Sequence, residues 1–205
     1  MHALIIVDIQ HDFTPGGKLA VPLGDEIIPL VNALQESFSL VVATQDWHPK
    51  NHKSFASSHP GKNPFEKIML HGLSQVLWPD HCIQGSAGAK LHSDLNGNKI
   101  EAIFRKGMDP EIDSYSGFYD NGYKKSTGLA GYLRERKVQK VYVCGLAADY
   151  CVSYTAKDAL KENFETYIIE DATRPIAPEG FEKAKDEILS SGGQIIKSEM
   201  LYRHM

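Results

Sequence analysis

Six short runs of apolar and β-branched residues, at 3–7, 40–43, 100–104, 140–144, 166–169 and 194–196, each end in turn-forming or charged residues. Runs this short and this continuously apolar predict strands buried on both faces. Between several of them lie stretches whose apolar residues fall three or four apart, at 25–36, 126–136, 150–163 and 181–190, the spacing of an amphipathic helix. Strand alternating with helix predicts an α/β fold, a three-layer sandwich around a six-stranded, mostly parallel sheet. A chain of 205 residues with 42% hydrophobic content builds one core of ordinary size, so a single domain over 1–205 is expected.

Residues 47–95 interrupt the alternation. They carry Pro49, Pro60, Pro64 and Pro79 among many His, Gly and Ser residues, with only short apolar stretches. An insertion of that length beside a parallel sheet is more often functional than idle.

Charge narrows the choice of partner. Net charge is -4 and the Lys and Arg residues are scattered, so no basic footprint for nucleic acid is present and a small molecule is expected instead. Met1 leads directly into the first apolar run and no long apolar span follows, which argues against a membrane segment and for a cytoplasmic protein. Three cysteines, an odd count, fit a reducing compartment better than a disulfide framework.

In an open parallel sheet, ligands bind beyond the carboxyl ends of the strands. There the first run meets Asp8, the second meets Asp46 and His48, the third meets Arg105 and Lys106, and the fourth leads through Gly145 to Cys151. A thiol in the first turn of a helix feels its positive end, which favours thiolate and suits a nucleophile. Packing of a buried cysteine on the sheet is the competing reading of Cys151, whereas Cys144, inside a strand, reads as structural. Asp8 at the end of an apolar run needs a partner, and Lys106 supplies a cation at the same edge, either as a simple ion pair or as part of an Asp-Lys-Cys group. Asp46 and His48, with His81 as a distant third, suit zinc, iron or manganese and leave coordination positions open. His52, His59 and His71 lie in the same insertion, as further ligands or as solvated loop residues. The small residues of 145–149 would let backbone N–H groups approach a reacting carbonyl.

Five segments carry a family resemblance. They are IVDIQHDF at 6–13 with GGKLAV at 16–21, TQDWHP at 44–49, LWPDHC at 77–82, DSYSGF at 113–118 and VCGLAADYCV at 143–152. In that order, and spanning nearly the whole chain, they resemble the nicotinamidases (pyrazinamidases) of the isochorismatase-like cysteine hydrolase superfamily. The resemblance implies hydrolysis of nicotinamide to nicotinate and ammonia through a cysteine thioester, in NAD salvage, with pyrazinamide as a further candidate substrate. It implies a catalytic triad of Asp8, Lys106 and Cys151, and an oxyanion hole from the N–H groups of Ala147 and Cys151 beside a cis Leu146–Ala147 peptide. The implied metal ligands are Asp46, His48 and His81, holding one divalent ion, zinc first and iron or manganese as alternatives. Phe13, Trp78, Tyr115, Leu146 and Ala147 are implied to bind substrate, with Tyr150 near the pocket wall, and the 47–95 insertion becomes the metal-binding segment. His11 stands where the family usually has Asn, and self-association into a homo-oligomer is left open. A sister enzyme acting on another amide, a binding module without turnover and a redox sensor built on Cys151 are the competing functional classes.

Overall fold

The computed structural model describes residues 1–201. Its main sheet has six parallel strands, β1 (His2–Val7), β2 (Leu40–Asp46), β5 (Ile100–Lys106), β6 (Lys140–Leu146), β7 (Glu165–Arg174) and β8 (Gln194–Ile196). Their spatial order is β5-β2-β1-β6-β7-β8. The two remaining strands, β3 (Lys67–Leu70) and β4 (Leu73–Val76), form an antiparallel hairpin inside the 47–95 insertion.

Pleat alternation divides the core between the two faces of the sheet. Leu4 and Ile6 of β1 pack with Ile28 and Val31 of α1 (Ile28–Leu34) on one face. Ala3, Ile5 and Val7 point the other way, toward α2 (Leu129–Glu135), α3 (Ser153–Lys161) and α4 (Pro178–Ser190). Helices on both faces of a parallel sheet complete the three layers.

The strand order fixes where a ligand site can form. From β1 the chain builds outward through β2 to β5, then crosses back to β6 on the other side of β1. The crevice beyond the carboxyl ends of β1 and β6 is therefore the topological switch point. Gly145 allows these strands to close up: it sits at φ +112, and a Cβ there would lie 2.1 Å from the Val7 carbonyl oxygen.

Candidate active site

Strand ends place the polar residues. Asp8 follows β1, Asp46 and Lys106 are the paired last residues of β2 and β5, and Cys151 follows β6. Alternation along β5 turns Lys106 inward, while Arg105 lies 4.0 Å over the Trp47 ring and donates to Gln45. The Lys106 ammonium is buried, 2.8 Å from Asp8 Oδ2, 2.8 Å from Asp46 Oδ1, 2.9 Å from the Ser114 carbonyl and 3.5 Å from Cys151 Sγ. Thr44 donates to the other Asp8 oxygen at 2.7 Å. The structure thus brings Asp8, Lys106 and Cys151 into one cluster.

Burial raises the Asp8 carboxyl above its ordinary range, against the opposing pull of Lys106. Burial would also strip the proton from Lys106, yet Asp46 and Asp8 outweigh it and hold the ammonium charged. Cys151 differs from the thiolate expected of a residue in a first helical turn. It lies in a wide, π-type turn, Ala148–Val152, that precedes α3. There burial pushes the thiol well up, and its hydrogen bond with Asp8 adds to the effect. Burial thus favours the protonated sulfur, and the Asp8 carboxyl lies beside it.

The same carboxylate that meets Lys106 also faces two imidazoles. Asp46 Oδ2 is 3.0 Å from His48 Nε2 and 3.3 Å from His81 Nε2, and all three residues are buried. His48 Nδ1 lies 2.8 Å from the Gly107 carbonyl and His81 Nδ1 lies 2.7 Å from the Pro79 carbonyl. Carbonyls only accept, so both rings carry hydrogen on Nδ1 and face Asp46 through Nε2, which holds a lone pair whenever the ring is neutral. Lone pairs facing a carboxylate repel unless a proton or a cation lies between them. Metal bonds of about 2.1 Å at tetrahedral or octahedral angles would set ligand atoms about 3.0–3.4 Å apart, the spacing found here. This donor set fits a divalent cation.

The two ligand loops are tied together directly. His48 N–H donates to the Cys82 carbonyl at 3.0 Å, and Cys82 N–H donates to Asp12 Oδ2 at 2.7 Å. Gln10 clamps Asp46 from both sides, taking its N–H and donating to its carbonyl, each at 2.8 Å. Between Cys151 and His81 lies a narrow pocket walled by Phe13, Trp78, Tyr115 and Tyr150, with Ala147 also in its lining and a cavity volume of about 20 Å³. Trp78 and Tyr115 meet nearly at right angles, and Trp78 Nε1 donates to the Tyr115 hydroxyl at 3.3 Å. The peptide between Leu146 and Ala147 is cis.

A family model of the isochorismatase domain matches residues 2–200. The chain belongs to the isochorismatase-domain family. Among similar proteins is the nicotinamidase of Acinetobacter baylyi, 51% identical over 197 residues that cover 96% of this chain and 92% of the relative. A solved nicotinamidase/pyrazinamidase from Acinetobacter baumanii superposes with a TM-score of 0.95 at 51% identity, covering 98% of this chain and 97% of that one. The pyrazinamidase of Pyrococcus horikoshii, solved in complex with zinc, gives a TM-score of 0.79 at 42% identity over 96% of this chain and 98% of that one.

Within this isochorismatase-domain fold, three placements differ from the sequence reading. Leu146 does not line the pocket: as the last residue of β6 it turns its side chain into the core, 3.2 Å from where a Cβ on Gly24 would stand. Asp113, which received no role, is buried on the pocket wall with Oδ1 3.9 Å from His48 Nε2. His52, left outside the ligand set, is fully buried with its ring centroid 4.4 Å from that of His48. His48, His52 and Asp113 form a second group of closely spaced ligand-type atoms. His59 and His71 lie outside both groups, against the Lys53 carbonyl and Glu111 respectively. Spacing along the sequence could have flagged His52 four residues after His48, but nothing distinguished it from its neighbours.

Proposed function

We propose that the chain hydrolyses nicotinamide to nicotinate and ammonia, the reaction for which its relatives are named, in salvage of nicotinamide toward NAD. The observation that carries this reading is the Cys151 thiol, set against Asp8 and Lys106 at one end of an aromatic pocket whose other end holds Asp46, His48 and His81. Those three residues would hold a divalent ion, zinc by their donor set and by the zinc-bound relative. When bound, the ion supplies a Lewis-acidic anchor for the ring nitrogen of the substrate.

The chain's own groups carry the reaction. Phe13, Trp78 and Tyr115 clamp the flat ring so that the carboxamide carbon faces Sγ. Asp8 takes the Cys151 proton as sulfur attacks, and Lys106 balances the charge between the two. The N–H groups of Ala147 and Cys151 receive the oxyanion. Collapse of the tetrahedral species breaks the C–N bond, and ammonia leaves with the proton returned from Asp8. Water then attacks the thioester with Asp8 as base, restoring the thiol and releasing nicotinate.

Ammonia release by the zinc-loaded protein, measured with nicotinamide and in parallel with pyrazinamide, tests the reading. Equal yields of ammonia and nicotinate, lost on chelation and recovered with zinc, are expected. Zinc-loaded protein that leaves nicotinamide intact would overturn it.

A further inference from the structure

Three buried histidines surround the candidate ion site, and their hydrogen bonds sort them into two kinds. Nδ1 of His48 and of His81 each face a carbonyl oxygen, which only accepts, so in the neutral rings Nε2 holds the lone pair that binds an ion. His52 is the reverse. Its Nδ1 takes the backbone N–H of Ser54 at 3.1 Å, and a backbone N–H only donates. The Ser54 hydroxyl, 2.7 Å from the same nitrogen, can rotate to donate as well. Nδ1 of a neutral His52 is therefore the acceptor, and the ring hydrogen sits on Nε2.

The ring has no freedom to escape this arrangement. Ser54 is itself pinned, its carbonyl taking the Trp78 N–H at 2.8 Å while Ala56 N–H returns to the Trp78 carbonyl at 2.9 Å. His52 is fully buried, yet its Nε2 meets no partner among the described residues. A buried N–H without an acceptor costs about 1–3 kcal/mol, so the site expects a hydrogen-bond partner that the described residues do not provide. Asp113 borders the same space. Its Oδ1 takes the Ser114 N–H at 2.8 Å and its Oδ2 takes a Gln75 amide hydrogen at 3.2 Å, which leaves lone pairs for a further donor.

We propose that His52 is a positioning residue and not a fourth ligand: its Nε2–H donates to a water carried by the ion, and Asp113 accepts a hydrogen from that water. This rests on the reading of Asp46, His48 and His81 as the ion's protein ligands. Three protein ligands leave coordination positions for water, and a donor and an acceptor meeting one such water would fix its orientation. His52 and Asp113 thus set how the open side of the ion is filled without touching the ion.

Long-range ¹⁵N correlation spectra of the zinc-loaded protein read the ring protons directly. His52 is expected to carry hydrogen on Nε2, and His48 and His81 on Nδ1. A zinc-loaded protein in which His52 Nε2 carries no hydrogen overturns the proposal. The substitution His52→Gln keeps an amide N–H near the position of Nε2 and is expected to hold zinc within about threefold of the parent, whereas His52→Phe, which has no donor, is expected to weaken it about 10–100-fold. Loss of zinc by His52→Gln as severe as by His52→Phe would count against the donor role. A parent protein that binds no zinc sinks the underlying reading too, while one that binds zinc through a hydrogen-free His52 Nε2 sinks this inference alone.

Discussion

Lys106 and Asp46 join the two halves of the site through one contact, Nζ to Oδ1 at 2.8 Å, while Oδ2 of the same carboxylate faces His48 and His81. Replacing Lys106 with Met should leave Asp8 and Asp46 as buried carboxylates without their cation. Breaking a buried ion pair from one side costs about 3–5 kcal/mol, and that loss is expected in urea unfolding. The pH dependence follows from Asp8, whose folded-state pKa is already raised by burial and rises further once the ammonium is gone. A group held protonated in the folded state but ionised in the unfolded state makes stability fall as pH rises through that interval. The difference between parent and variant should therefore be larger at pH 8 than at pH 5. Equal differences at both would show that Lys106 does not compensate Asp8.

Removing the sulfur separates chemistry from binding. Cys151→Ala takes away a side chain that touches Lys106 and Asp8 but none of Asp46, His48 and His81 among its hydrogen bonds. Turnover of nicotinamide should drop on the order of 10⁴-fold or more, as for other enzymes stripped of their nucleophile. Zinc content measured by atomic absorption should equal that of the parent. Substantial ammonia release from the alanine protein would remove Cys151 from the reaction.

Much of this arrangement was legible in the residues, and the exceptions have physical causes. All six sheet strands could be read, the four inner ones because each buries a continuous apolar run. Edge strand β5 is not buried on both faces but alternates, with Ile103 49% exposed, and the runs 40–43 and 100–104 stopped short of Asp46 and Lys106. Those last residues are polar and stay in register only because the two strand ends pair with each other and Gln10 clamps Asp46. The helix read at 126–136 begins at Leu129, after Gly128 at φ +91, and the one read at 25–36 opens with a tight 3₁₀ turn before α1. The β3–β4 hairpin was not legible, since Met69 is 70% exposed and the strands bury little. Leu146 was misplaced because neighbouring strand residues face opposite sides, and the sequence near a strand end does not say which side is which. The roles of His52 and Asp113 depend on partner atoms far along the chain, which no local spacing encodes.

Proton competition should govern uptake of the ion. In the metal-free protein burial works against a charge on His48, yet the Asp46 carboxylate outweighs it and lifts the pKa to about 9. A metal ion needs the Nε2 lone pair, so binding expels a proton wherever His48 is charged. Zinc affinity should rise with pH by up to about tenfold per unit and level off above about 9. The same raised pKa stabilises the metal-free fold fully below the unfolded value of 6.5, and that contribution is lost as pH rises through about 9. Chelator competition at pH 6.5, 7.5 and 8.5, with calorimetry in buffers of different ionisation enthalpy to count protons released, checks both directions. Affinity independent of pH would contradict a charged His48.

Gly107 offers the narrowest test of how His48 is aimed. Its carbonyl accepts the His48 Nδ1–H at 2.8 Å, which is what turns Nε2 toward Asp46. It also sits at φ +66, where an L side chain is strained, and a Cβ would lie 2.4 Å from His48 Cε1 and 2.6 Å from Nδ1. Gly107→Ala must therefore shift the backbone or push the ring aside, at a cost of about 1–3 kcal/mol in stability. Because the carbonyl acts on the ion only through the imidazole, zinc affinity should fall about 10–100-fold, with turnover recovering as zinc is raised. Gly97→Ala, where a Cβ meets nothing within 4 Å, serves as the control and should match the parent in both respects. If the Gly107 variant binds zinc as tightly as the control, the orientation of His48 is set by Asp46 alone and the carbonyl contact is incidental.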